Sequence, residues 1–245
     1  MKNLFEVKYY ETYYFASMIR NILSDRFSYL GIIHDFFVDD SCLYMLKPFP
    51  KYSAFHSFIE FVLHYTITDE TEEVDLQERK VILKNFSRIK PAMEDLRPTT
   101  LPIELALDYH QIEFTTFNEW LRENEISFSK CTENDISEYL QYLREGGEIE
   151  SLIEIVTKEV FYILFQNRDL LLLFNDMVSD KVSQYSISDL NDEFSTFFKR
   201  DGVLNRVHIP TWVQRAIYFR DRGICVLCRK DISGLVLNLC GFSVS

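Results

Sequence analysis

The sequence has 245 residues, a length that suits one large domain or two smaller ones. Hydrophobic residues make up 47% and charged residues 26%, which excludes disorder over the whole length. Gly (7) and Pro (6) are too scarce for a turn-dense sandwich or barrel, so the composition favours helices. The longest unbroken apolar run, residues 160–165, is far shorter than the ~20 residues of a membrane-spanning helix. With no apolar leader at the N-terminus, we expect a cytoplasmic protein that does not contact a membrane.

The net charge of -12 is unevenly distributed along the chain. Residues 199–245 hold eight basic and three acidic residues and carry +5, whereas the remaining 198 residues carry -17. The sequence therefore predicts two domains: residues 1–198 form a helical domain of unknown role, and residues 199–245 form a basic module that favours a polyanionic partner.

The first half of the chain reads as a series of helices. Apolar residues recur at helical spacing in residues 9–30 and again in residues 52–67. Residues 69–90 begin with acids and end with bases, which matches the helix dipole and predicts one solvated helix. Prolines at 91, 98 and 102 then indicate a loop.

The second half begins with the clearest helix, residues 132–144, where Thr132 is the capping residue and Gly146 with Gly147 closes the helix. A long amphipathic helix follows, is interrupted at residues 166–169, and continues as a buried piece. We expect a further short helix over residues 189–199.

Residues 206–232 carry the most specific pattern in the chain. Pro210 sits where a helix begins, an apolar stripe includes Trp212, and Gly223 ends the helix. Cys225 and Cys228 then have the spacing at which one tight turn brings two thiolates to a single metal, which is half of a tetrahedral zinc site.

The order and spacing of these features resemble the N-terminal part of the HNH endonuclease module, over about residues 206–235. The matching residues are Ile209, Pro210, Val213, Ala216, Ile217, Arg220, Asp221, Gly223, Cys225, Cys228, Lys230, Asp231 and Ile232. The resemblance implies a partial ββα-metal segment with a zinc-knuckle hairpin, structural zinc at Cys225 and Cys228, and a nucleic-acid partner, DNA rather than RNA. The candidate nucleic-acid-binding residues are Arg215, Arg220, Arg222, Arg229 and Lys230.

The departure from the family concerns its catalytic half. HNH enzymes use a His as general base, and a later His or Asn holds a divalent metal, usually magnesium, against the phosphate. Residues 229–245 contain no His, so no catalytic residue is assigned. Magnesium is expected only for an intact module, and we expect this chain to be truncated before the catalytic residues and inactive.

Other interpretations of these residues stay open at the level of sequence. The cysteine pair also suits a redox motif or a structural pair whose half-site holds no metal. The alternative function is a non-enzymatic helical interaction protein whose basic, Cys-containing tail docks on nucleic acid or on a partner protein, with the helical domain offering a second protein contact. His56, Glu60 and His64 share one side of a helix, which we interpret as its polar face rather than a metal site.

Overall fold

The computed structural model describes residues 10–38, 41–86, 100–225 and 228–231, and over these residues the chain is mainly helical, as the sequence predicts. The helices are, in chain order, α1 (Thr12–Ser24), α2 (Leu30–Phe36), α3 (Ser41–Tyr44), α4 (Ala54–Glu72), α5 (Leu76–Phe86), α6 (Pro102–Tyr109), α7 (Phe117–Glu123), α8 (Glu133–Gly146), α9 (Glu148–Leu164), α10 (Arg168–Val182), α11 (Asp192–Ser195) and α12 (Thr211–Asp221). Two short strands, β1 (Phe198–Arg200) and β2 (Val203–Leu204), pair antiparallel. No helix within the described residues combines the length and the apolar character that crossing a membrane requires.

Backbone contacts divide the chain into two compact units. Unit 1 contains Met1–Asn21 and Phe58–Phe161, and unit 2 contains Ile22–Ser57 and Tyr162–Ser245. The basic segment from residue 199 onward therefore belongs to the same unit as α10. The predicted domain boundary at residue 198 stays a prediction.

Helix α8 in unit 1 forms as its local signals predict. The Asp135 carboxylate accepts hydrogen bonds from the Thr132 backbone N–H (2.6 Å) and hydroxyl (2.8 Å). At the other end Gly147 adopts a left-handed φ of 87°, a conformation that favours glycine. One face of the helix is buried; its residues are Ile136, Tyr139, Leu140 and Leu143.

A buried carboxylate ties two other helix starts of unit 1 together. Glu104 accepts hydrogen bonds from the backbone N–H of Leu101, before α6, and of Phe117, at the start of α7 (2.7 Å). Burial raises the pKa of Glu104 although both N–H groups and Arg79 favour its ionised form. Because two orphan N–H donors depend on this one side chain, Glu104 is a structural residue.

Residues 69–90 were expected to form one helix, and this prediction is wrong. Helix α4 continues to Glu72 and α5 begins at Leu76. Between them Val74 is buried, and the Asp75 carboxylate accepts a hydrogen bond from the Glu78 N–H (2.8 Å), which caps α5. Burial of Val74 and the cap at Asp75 therefore favour the start of a new helix at this point. The remaining residues of the predicted helix, from 87 onward, lie outside the described residues.

The predicted helix over residues 189–199 is also wrong. Only Asp192–Ser195 is α-helical, preceded by one 3-10 turn, and the chain enters β1 at Phe198. The amide of Asn205 donates to the carbonyls of Thr196 (2.8 Å) and Phe198 (3.2 Å). The Asn205 amide thus satisfies these two carbonyls, so no further helical turn is needed to pair them. The buried Phe198 side chain holds the strand in place.

The turn between β1 and β2 contains Gly202, four residues after the predicted domain boundary at residue 198. Gly202 has a φ of +64°, and a Cβ there would lie 2.6 Å from the carbonyl oxygen of Ser183. Its N–H donates to the carbonyl of Tyr185 (2.9 Å). The glycine therefore lets the hairpin approach the end of α10 within unit 2.

Candidate nucleic-acid interface

Helix α12 begins where its sequence predicts. Pro210 takes the N-cap position with an extended backbone, and the helix starts at Thr211. The missing N–H of a proline costs nothing there, because the first N–H groups of a helix have no partner within it. The side-chain amide of Gln214 donates to the carbonyl of Ile209 (2.8 Å), which holds the approach to the helix.

The end of α12 reverses the chain with two left-handed residues. Arg222 (φ 51°) precedes Gly223 (φ 69°), so the left-handed conformation starts one residue before the glycine that the sequence identified. The N–H of Ile224 donates back to the carbonyl of Asp221 (2.9 Å). The chain then leaves the helix directly into a hairpin.

That hairpin contains both cysteines. Ile224 and Asp231 form an antiparallel bridge. Inside it the Cys225 N–H donates to the Lys230 carbonyl (2.8 Å), and the Arg229 N–H donates to the Cys225 carbonyl (2.9 Å). Cys225 is half-buried and Cys228 is exposed. The short helix and the cysteine-containing turn thus follow one another as the sequence predicts.

The donor set does not amount to a complete zinc site. Within the described part of the chain, no three His, Cys, Asp or Glu side chains lie close enough together to hold one metal ion. His208, which precedes α12, therefore does not join Cys225 and Cys228. Cys240 lies outside the described residues. Two thiolates are half of the four ligands that a structural zinc site needs.

The triplet on α4 has an ordinary structural explanation. The Nδ1 atom of His56 lies 2.8 Å from the hydroxyl of Ser53, and its ring packs 4.8 Å from that of Tyr52. Burial lowers the pKa of His64, which Glu60 partly opposes. Both histidines are therefore partly buried, and the polar-face interpretation stays a prediction.

Asp221 is the centre of a charge cluster that joins α12 to α10. Its carboxylate accepts hydrogen bonds from the Arg220 Nε (2.7 Å) and Nη2 (3.1 Å), and the Arg168 Nε lies 2.9 Å away. The Arg220 guanidinium also lies over the ring of Phe165, 5.2 Å from its centre. Burial alone would raise the pKa of Asp221, but the two guanidinium groups outweigh it and lower the pKa.

This cluster separates the five predicted contact residues into two classes. Arg220 points toward α10 and neutralises a buried acid, so its side chain positions the helix. The other four are exposed: Arg215, Arg222, Arg229 and Lys230. Because the only acid of α12 is paired on its inner side, no acidic residue of the helix lies on its outer side.

The apolar stripe predicted for this helix includes Trp212, but the structure exposes Trp212 and also Phe219. Trp212 is 56% exposed and Phe219 is 68% exposed, although Phe219 also contacts Tyr218 edge to face. With Arg215 they occupy positions 212, 215 and 219, a three-and-four spacing that places all three on one side of α12. Arg222 follows the helix as its left-handed C-cap residue.

Comparison with known proteins adds no relative to this description. The sequence matches no family model, and no curated protein or solved structure is significantly similar to the chain.

Proposed function

We propose that residues 199–231 dock on nucleic acid, as the N-terminal part of an HNH-type endonuclease module, and that this chain binds without hydrolysing its partner. The observation that carries the proposal is the exposed, acid-free outer side of α12, continued by the cysteine hairpin. The odd number of cysteines, five, suits thiols in a reducing compartment, so we place this role in the cytoplasm.

Charge supports docking by this segment rather than by the rest of the chain. The excess of five positive charges in residues 199–245 faces a partner with one phosphate charge per nucleotide, while the other residues carry -17. Asp221 is buried and paired with Arg168 and Arg220, so its negative charge does not face the partner. If Arg215, Arg222, Arg229 and Lys230 each meet one phosphate, log affinity should fall with log salt at a slope of about -3.6.

We propose that zinc binds only weakly at Cys225 and Cys228, because the described donors supply half of a zinc site. We propose no hydrolytic step, because residues 229–245 contain no His that could serve as general base. The resemblance to HNH enzymes therefore supports the class of partner and not a catalytic step.

Fluorescence anisotropy with a labelled oligonucleotide, over a series of salt concentrations, tests the proposal. The double substitution Arg215→Glu with Arg222→Glu should abolish binding. A control with the same change in charge, Arg122→Glu with Lys130→Glu, alters two exposed cations of unit 1 and should leave binding intact. Affinity that survives the first double substitution, or that falls equally in the control, contradicts the assignment.

The same preparation should not cleave plasmid, single-stranded DNA or RNA when magnesium or manganese is added. Metal-dependent cleavage that co-purifies with the chain would show that a catalytic site exists elsewhere in it.

A further inference from the structure

The outer side of α12 alternates aromatic and basic residues. Trp212, Arg215 and Phe219 follow one another along one side of the helix, Arg222 lies just past its end, and all four are exposed. Asp221 lies nine residues after Trp212, half a revolution away, where it is buried against α10. The charge cluster at Asp221 therefore determines which side of α12 faces outward.

We propose that this side of α12 binds single-stranded nucleic acid by stacking bases on Trp212 and Phe219, with Arg215 and Arg222 on the adjoining phosphates. The inference rests on the proposed function and names the form of nucleic acid that the same segment takes. Proteins that bind single-stranded nucleic acid without sequence preference combine exposed aromatic side chains, on which bases stack, with nearby cations that bind the phosphates.

The spacing of the two rings fits a stacked strand. Seven residues of α-helix span about 10 Å. Successive stacked bases on one strand are about 3.4 Å apart, so the distance between the two rings corresponds to about three base-to-base steps, with room for about two bases between them. Arg215 lies between the rings and Arg222 just beyond the second, which places a cation next to each.

Double-stranded nucleic acid cannot stack its bases on this surface and should bind to it through phosphate contacts alone. Bases paired inside a double helix do not offer their faces to a side chain, so stacking on Trp212 or Phe219 requires unpaired bases. Phosphate contacts from the arginines alone would bind single strands and duplexes in similar ways. A preference for single strands therefore distinguishes stacking from charge.

The test compares the full chain and its variants for binding to a short oligothymidylate and to a duplex of the same length. Trp212→Ala and Phe219→Ala should each lower affinity for the single strand about 5- to 100-fold and leave duplex affinity nearly unchanged. Phe27→Ala removes a ring of unit 2 that is 85% exposed and far from α12 in sequence, and it should change neither.

Tryptophan fluorescence gives a readout that a purely structural role would not produce. The chain has two tryptophans, and Trp120 is buried at 7% exposure. Quenching by oligothymidylate should therefore come from Trp212. In Trp212→Phe the quenching should disappear while most of the affinity remains, because Phe still offers a ring for stacking.

The outcomes separate this inference from the proposed function. Equal affinity for both oligonucleotides, lost on Arg215→Glu with Arg222→Glu but unaffected by Trp212→Ala, overturns stacking and leaves docking by charge. Binding of neither oligonucleotide overturns both proposals.

Discussion

Replacing Asp221 by Asn removes the negative charge that Arg168 and Arg220 share between α10 and α12. Removing one partner of a buried ion pair typically costs about 3–5 kcal/mol, because the remaining charge stays desolvated. Here the side chains expose 8% at Asp221, 15% at Arg168 and 17% at Arg220, so some solvent reaches the cluster. We therefore expect a loss of about 2–3 kcal/mol in the free energy of unfolding.

Thermal unfolding followed by circular dichroism measures this loss, which corresponds to a decrease in Tm of about 4–12 °C for a chain of this size. Asp180→Asn is the matched control, since Asp180 also pairs with an arginine, Arg26, at 3.2 Å, but is 74% exposed. A pair in that position contributes about 0–1 kcal/mol. A loss at Asp221 no larger than the loss at Asp180 would refute the reasoning.

The pH dependence of the same variant gives a second check. The folded chain lowers the pKa of Asp221 below its ordinary value of about 3.9, so the ionised carboxylate stabilises the fold above that pH. This contribution decreases as the pH falls through the folded-state pKa. The difference in stability between the wild type and Asp221→Asn should therefore narrow below about pH 4, and a constant difference would contradict the assigned role.

Two further predictions concern the buried carboxylate and the cysteine hairpin. Glu104→Gln leaves one acceptor oxygen for the two N–H groups before α6 and α7, so urea unfolding should show a loss of about 1–3 kcal/mol that the exposed Glu123→Gln does not share; equal stability of the two variants would contradict this. Purified protein should carry less than one zinc per chain and lose it to a chelator, because a half-site binds far more weakly than the ~10–16 kcal/mol of complete sites. Cys225→Ser should then leave Tm nearly unchanged, whereas one tightly held zinc together with a large fall in Tm on this substitution would show a complete metal site.

Local signals in the sequence were sufficient where one helical turn holds all the interacting groups. Thr132 and Asp135 cap α8 across three residues, and Gly147 ends it, so their spacing alone predicted the helix. Pro210 and the cysteine pair likewise predicted the start of α12 and the turn that follows it. The hydrogen bonds concerned join residues at most five positions apart.

Tertiary contacts determined which residues of α12 are buried, a distinction that the sequence alone did not make. Arg215 and Arg220 lie on the same helix with the same charge, but only Arg220 turns inward. Its guanidinium pairs with Asp221 and lies over the ring of Phe165. Arg168, some fifty positions earlier in the sequence, binds the same carboxylate. Burial of that side of α12 is also what leaves Trp212 exposed. A helical pattern defines which residues share a side, whereas the partner that covers one side comes from distant sequence, and only the folded chain brings it there.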